Sequence, residues 1–176
     1  KILEDIQFYV TTKYSCGYID GQDAQSLVAT PYKNVNSKHF NNLMSEGFRR
    51  SGQYVYKPNC KDCNACIPIR ILASNFNPSR SQKRLKKYLD KLSVKLLPLS
   101  FDEEHYNLYS NYQNKRHRSN DGAEDSIADY NNFLIKSNVN SKLVEFRLNN
   151  QLKIVTIIDI IDDGISAVYS FYDCSD

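Results

Sequence analysis

Two arginines, Arg49 and Arg50, stand side by side just before a Ser51-Gly52 turn and the run Gln53-Tyr54-Val55-Tyr56. Adjacent guanidinium forks on a short backbone can offer fixed donors to a carboxylate or a phosphate. The plainer reading is one solvated and one packed arginine beside a hairpin, and the spacing leaves both open. The cysteines suggest a second chemistry. Cys60, Cys63 and Cys66 are separated by two residues each, Cys16 lies upstream as the obvious fourth ligand, and Cys174 sits near the end. Thiolates at this spacing can turn around a zinc ion or an iron–sulfur cluster. Lys57, Lys61 and Arg70 nearby would favour the thiolate form. The alternative is a set of reduced, partly buried thiols.

A third feature is basic. The run from Pro78 to Leu92 carries Arg80, Lys83, Arg84, Lys86, Lys87 and Lys91 around an apolar stripe of Leu85, Tyr88, Leu89 and Leu92. Such a helix can hold phosphates on one side and pack through the other, or it can be a solvated amphipathic helix. Further on, Asp159 lies within a run of isoleucines, where a carboxylate is costly unless paired. It is either the partner of a buried donor or a site residue. Tyr169, Phe171 and Tyr172 surround Ser170 on the next run. Ser170, His105 and His117 have no spacing that suggests a hydrolase triad. There is no HExxH pattern, and six glycines leave little room for a phosphate-cradling loop.

These residues need elements to hold them. Ser37 is placed to cap a short helix with Phe40, Leu43 and Met44 on one face, ended by Gly47. Residues 53–56 read as a strand closed by Lys57-Pro58. The basic helix starts at Ser79 or Ser81. Helices are expected over 102–115, with His105, Leu108, Tyr109 and Tyr112 on one face, and over 124–136. Strands are expected over 143–148, 152–161 and 165–172. Asn149-Asn150 and Asp163-Gly164 suit the tight turns between them. Two helices followed by an antiparallel meander define an α+β fold. The domains expected are 1–77, holding four cysteines; a joining helix over 78–95; and 96–176.

The composition sets limits. The chain of 176 residues is 41% hydrophobic and 24% charged, as in an ordinary globular protein with room for a real core. The longest apolar run is broken by Thr156 and Asp159, so it does not span a bilayer. The first residues do not read as a signal peptide, and the cytoplasm is the expected compartment. The charge is lopsided. Residues 1–100 hold 16 Lys and Arg against 7 Asp and Glu, while residues 101–176 hold 7 against 13. A basic half joined to an acidic half is a reason to consider a polyanionic partner.

Several blocks occur in an order that resembles one family. Ser15-Cys16-Gly17-Tyr18, Ala29-Thr30-Pro31, Gly47-Phe48-Arg49-Arg50-Ser51-Gly52, Tyr56-Lys57-Pro58 and the Cys60–Cys63–Cys66 run through Pro68-Ile69-Arg70 are similar to the N-terminal module of the aminoacyl-tRNA–protein transferases. Ser79-Arg80-Ser81-Gln82-Lys83-Arg84 is similar to their joining helix. Tyr109, Tyr112, Arg116-His117 and the stretch from Asp159 to Asp173 resemble their C-terminal module. The likeness is nearest to the bacterial aspartate/glutamate leucyltransferase branch.

The resemblance implies a cytosolic enzyme of the N-degron pathway. It would move an aminoacyl group, leucine rather than arginine, from tRNA to the N-terminal amine of proteins starting with Asp or Glu. It implies a GNAT-like (acetyltransferase-like) second module, which in this chain would be incomplete at its C-terminal end. No cofactor is required for the chemistry, since the aminoacyl ester is already activated; the enzyme must position two substrates and stabilise an oxyanion. Arg49, Arg50, Ser51 and Tyr54 would bind the acidic N-terminus. Asp159, Tyr169 and Tyr172 would line the aminoacyl end as catalytic residues. Arg80, Lys83, Arg84 and Lys87 would hold the tRNA. An iron–sulfur cluster or zinc on Cys16, Cys60, Cys63 and Cys66 is an expectation of the same origin, with Ile19 standing where related eukaryotic enzymes often carry a further cysteine. The alternatives are a non-catalytic module that binds tRNA or acidic N-termini, and an acyl-CoA enzyme, which the missing glycine-rich pyrophosphate loop disfavours.

Overall fold

Alternation of inward and outward residues builds two antiparallel sheets in this chain, seen in a computed structural model that describes residues 5–117 and 125–175. The first sheet contains β1 (Gln7–Val10), β4 (Ser26–Thr30), β6 (Tyr54–Pro58) and β5 (Arg49–Ser51), in the order β1-β4-β6-β5. A small ladder of β2 (Tyr14–Ser15) and β3 (Asp23–Ala24) stands apart from it. Helix α1 (Ser37–Ser45) packs Phe40 and Leu43 into the first core with Ile6, Ala29, Val35, Phe48 and Val55. Its N-cap is Asn36, whose side chain accepts from the His39 amide, one residue before the cap expected. Its end is a Schellman turn. The Phe48 amide reaches Leu43 O at 3.0 Å and the Gly47 amide reaches Met44 O at 3.1 Å, with Gly47 at φ +82°.

The chain crosses to the second half through α2 (Arg80–Leu89), which starts at Ser79 with a full capping box to Gln82. None of its residues is buried, and Leu85, Tyr88 and Leu89 are exposed, so of the two readings of its stripe the solvated helix is the one observed. Strand β7 (Ser93–Pro98) follows, then α3 (Glu103–Arg116), capped by Asp102. The expected helix over 124–136 is observed as a single turn, α4 (Ile127–Tyr130), that widens into a π turn at Asn131–Ile135. Residue 124, its expected start, lies outside the described residues, as does Asp176.

Strands β8 (Ser141–Leu148), β9 (Gln151–Ile161) and β10 (Gly164–Tyr172) form the meander, in the sheet order β10-β9-β8-β7. Asn149 and Asn150 make the first turn with φ of +50° and +68°, a conformation Asn tolerates. On β8 the buried residues Ser141, Leu143 and Glu145 alternate with less buried ones, as a sheet with one covered face requires. A shift of register between Phe146 and Arg147 allows both Leu152 and Val155 of β9 to face the core. The second core joins these to Tyr109 of α3, Tyr130, Leu134, Leu143, Ile157 and Phe171. Mixed helices and antiparallel sheets make the fold α+β.

Candidate functional site

Successive residues of a strand point to opposite faces, and this separates the arginine pair. Arg50 points inward and is 7% exposed. Its Nε donates to Asp159 Oδ2 and its Nη2 to Asp159 Oδ1, each at 2.7 Å. Nη1 donates to Gly52 O and Nη2 also to Ser141 Oγ, each at 3.0 Å. Ser141 Oγ in turn donates to Asp159 Oδ1 at 2.6 Å. Asp159 is 0% exposed. Both carboxylate oxygens and all three guanidinium nitrogens are thus engaged within the protein. The geometry does not match the expected roles of Arg50 on a substrate carboxylate and of Asp159 on the aminoacyl end, because neither group faces a space where a ligand could sit. Of the two readings left open for Asp159, it is the partner of a buried donor.

Arg49 points the other way. It is exposed, and its guanidinium carbon lies 5.2 Å from the centre of the Tyr56 ring, its cross-strand neighbour. The Tyr18 hydroxyl and Cys66 lie close enough to act on its charge. Among the described residues no carboxylate forms an ion pair with Arg49. Ser51 and Tyr54 face each other at the end of the same hairpin, with the Tyr54 ring exposed and 5.2 Å from that of Tyr32. Arg49, Tyr56, Tyr18 and Tyr54 therefore form an open surface bearing a cation and aromatic rings.

The cysteines are all free, with Cys16, Cys60 and Cys63 half-buried and Cys66 exposed. Cys60 Sγ is directed at Gln25 O, 3.7 Å away. Among the described residues no three of His, Cys, Asp or Glu gather as a metal site would require. The expected set of Cys16, Cys60, Cys63 and Cys66 is therefore not brought together in this arrangement and does not fit a zinc ion or cluster.

A third region joins α3 to β10. Gln113 Nε2 donates to the Tyr169 hydroxyl at 3.1 Å, and Arg116 Nη2 donates to the Tyr172 hydroxyl. Tyr112 packs on Tyr172 with ring centres 5.0 Å apart, and Phe133 packs on Tyr169 at 5.1 Å. A register shift between Ala167 and Tyr169 sets the facing of this part of β10. Burial raises the Tyr169 hydroxyl above the ordinary tyrosine range, so it stays protonated at neutral pH. Sequence reading named Tyr169 and Tyr172 as site candidates and Arg116 only as part of a family block, and it did not name Gln113; the signal for Gln113 and Arg116 is their place on the α3 face one turn beyond Tyr109 and Tyr112. Along another side of α3, a cleft of about 410 Å³ is lined by Leu108, Asn111 and Lys115 with Leu152 and Asp173, among others.

On the same face of α3 as Tyr109 and Tyr112, nearer its N-terminus, His105 Nε2 lies 2.6 Å from Glu145 Oε1 in the core. Arg147 donates to Glu145 at 2.8 Å and reaches Glu104 at 2.6 Å. Hydrogen bonds from Arg147, and then from His105, outweigh burial and hold the Glu145 carboxyl down at about 2. Sequence reading placed His105 on the inward face but gave no sign of this network.

The basic side chains of α2, Arg80, Lys83, Arg84 and Lys87, all face solvent. A helix with this charge and no buried face is suited to meet a polyanion.

The site thus combines an inward arginine that ties the two sheets, an outward arginine beside aromatic rings, and an exposed basic helix. A family model described as "Arginine-tRNA-protein transferase, N terminus" matches residues 14–84, and one described as "Arginine-tRNA-protein transferase, C terminus" matches residues 104–176. The chain is 51% identical over 174 residues to the aspartate/glutamate leucyltransferase of Methylobacillus flagellatus, covering 99% of this chain and 70% of that protein. It is 45% identical over 180 residues to the protein of the same name from Polynucleobacter asymbioticus (99% and 73%), and 37% identical over 171 residues to that of Pseudomonas fluorescens (97% and 73%). The chain belongs to the arginine-tRNA-protein transferase family. Among the described residues, no helix is long and apolar enough to cross a membrane.

Proposed function

We propose that this protein transfers leucine from leucyl-tRNA to the N-terminal amine of proteins that begin with Asp or Glu. The observation that carries this reading is its similarity, over 99% of its length, to a protein named aspartate/glutamate leucyltransferase. In the reaction the α-amine attacks the carbonyl carbon of the aminoacyl ester. A C–N bond forms, the ester C–O bond breaks, and the ribose oxygen of the tRNA leaves with a proton. No covalent intermediate on the protein is required.

The residues supply position and charge. Arg49, free of any carboxylate among the described residues, holds the acidic side chain of the acceptor, with Tyr54 and Ser51 beside it. Arg50 and Asp159 act indirectly, by fixing β5 and therefore the backbone that presents Arg49. Arg80, Lys83, Arg84 and Lys87 hold the tRNA backbone. Tyr169 and Tyr172 take the aminoacyl end. Each of their oxygens accepts a hydrogen bond from Gln113 or Arg116. Each keeps its own hydroxyl hydrogen, which is then available for the oxyanion or the departing ribose oxygen.

Residues 1–77 form the acceptor-side unit and 96–176 a GNAT-like unit; the joining segment 78–95 is helical only over Arg80–Leu89 and ends in the first residues of β7, which starts the second sheet at Ser93. The setting is the cytoplasmic N-degron pathway, in which the added leucine marks the product for degradation. Transfer of labelled leucine from leucyl-tRNA to peptides starting with Asp or Glu, and not Ala, tests the proposal.

A further inference from the structure

Tyr88 is 68% exposed in the last turn of the most basic element of the chain. Arg84, Lys87 and Tyr88 stand at positions i, i+3 and i+4 of one helical face, and Lys91, at i+7 in the turn just past the helix, continues it; these four residues line a shallow hollow of about 430 Å³. Lys91 Nζ lies 5.5 Å from the centre of the Tyr88 ring. The one acid of this segment, Asp90, is taken by Lys86 at 2.7 Å. Among the described residues no carboxylate pairs with Arg84, Lys87 or Lys91, and the Tyr88 hydroxyl makes no hydrogen bond. An exposed aromatic ring among three cations that no described carboxylate pairs is well matched to a ligand that combines a flat π face with phosphates.

We propose that the Arg84–Lys87–Tyr88–Lys91 face of α2 binds an unpaired nucleotide of the donor tRNA, with Tyr88 stacked on the base and the three cations on flanking phosphates. This rests on the reading of α2 as the tRNA-contacting helix and adds what that helix recognises. Cations alone would serve any duplex backbone; an exposed ring gains only from a base that is free to stack. A paired stem offers no such face. The unpaired base comes either from the single-stranded 3′ end that carries the amino acid or from a loop.

Binding is measured by fluorescence anisotropy on the full chain with three RNAs: uncharged tRNA, a blunt acceptor-stem hairpin, and that hairpin with a single-stranded 3′ tail. Y88A is expected to weaken tRNA by roughly 5- to 150-fold, the range of one lost base–aromatic stack. It should leave the blunt hairpin unchanged, and Y88F should bind as the wild type does. Loss on the tailed hairpin places the nucleotide at the 3′ end; loss on tRNA alone places it in a loop. Tyr88 is too exposed for its removal to threaten the fold, and an unchanged melting temperature checks this. The R84A/K87A/K91A variant separates the two ideas. It should weaken all three RNAs and flatten the salt dependence. If it changes none of them, α2 is not the tRNA helix and the reading beneath the proposal fails. If it weakens all three while Y88A weakens none, or weakens blunt and tailed RNA equally, the stacking proposal alone is overturned. Vesicles containing phosphatidylserine are the remaining arm: their loss of binding in Y88A, with RNA binding intact, would assign the face to a lipid surface instead.

Discussion

Arg50 and Asp159, 109 residues apart, meet through two hydrogen bonds of 2.7 Å, so that the edge strand of the first sheet is tied to an inner strand of the second. Ser141 at the start of β8 and the Gly52 carbonyl complete the cage. Removing one partner strands a charge out of water. R50A or D159A should therefore cost about 3–5 kcal/mol of stability, while the apolar pair R50M/D159L should recover most of that loss. Urea denaturation followed by circular dichroism measures both; a loss within about 0.5 kcal/mol for the single variants, ordinary for a surface site, would show that the pair is not a lock.

Gly52 lies under the same joint. It turns the β5–β6 hairpin at φ +57°, and a Cβ there would come within 2.1 Å of the Asn132 carbonyl oxygen on the π turn. G52A should lower stability by more than about 1–2 kcal/mol, the left-handed backbone penalty alone, because rigid backbone must also move. An unchanged melting temperature would contradict this close approach.

Arg49 should behave quite differently from its neighbour. R49A is expected to fold normally and to lower kcat/KM for Asp and Glu peptides by about 10- to 150-fold, the worth of a charged hydrogen bond of roughly 1.5–3 kcal/mol. tRNA affinity should stay the same, and R49K should recover only part of the loss. Equal losses for peptide and tRNA would remove Arg49 from the acceptor site.

The second sheet carries its own acid limit. Glu145 ordinarily titrates at 4.5 and is held at about 2 by Arg147 and His105. A carboxyl lowered on folding adds stability that is complete above its unfolded value and is lost as pH falls through the folded one. Stability should thus fall between about pH 4.5 and pH 2, and E145Q should flatten that slope. The same slope in E145Q and wild type would show that other carboxylates set the limit.

Much of this was readable from local pattern. The meander, the Asn149-Asn150 turn, the Ser79 cap and the inward face of α3 all follow from periodicity and turn chemistry. The sequence also framed the right alternatives for Arg49 and Arg50, since neighbours in a strand face opposite ways; which one faces in depends on where Asp159 comes to lie. That pairing spans the whole molecule, and no spacing encodes it. Strands β1, β4 and β7 went unread because they are short or end in proline, and gain their order from cross-strand partners. The stripe of α2 had the period of a core helix without a core to meet, which periodicity by itself cannot reveal. The cysteines had the spacing of a metal site, but among the described residues no three of His, Cys, Asp or Glu gather as one would require.

The most direct test of the central claim is transfer itself. Labelled leucyl-tRNA and arginyl-tRNA are offered separately with peptides that begin with Asp, Glu or Ala. Label from leucyl-tRNA is expected on the Asp and Glu peptides, and none on the Ala peptide. Label from arginyl-tRNA instead, or equal label on all three peptides, would contradict it.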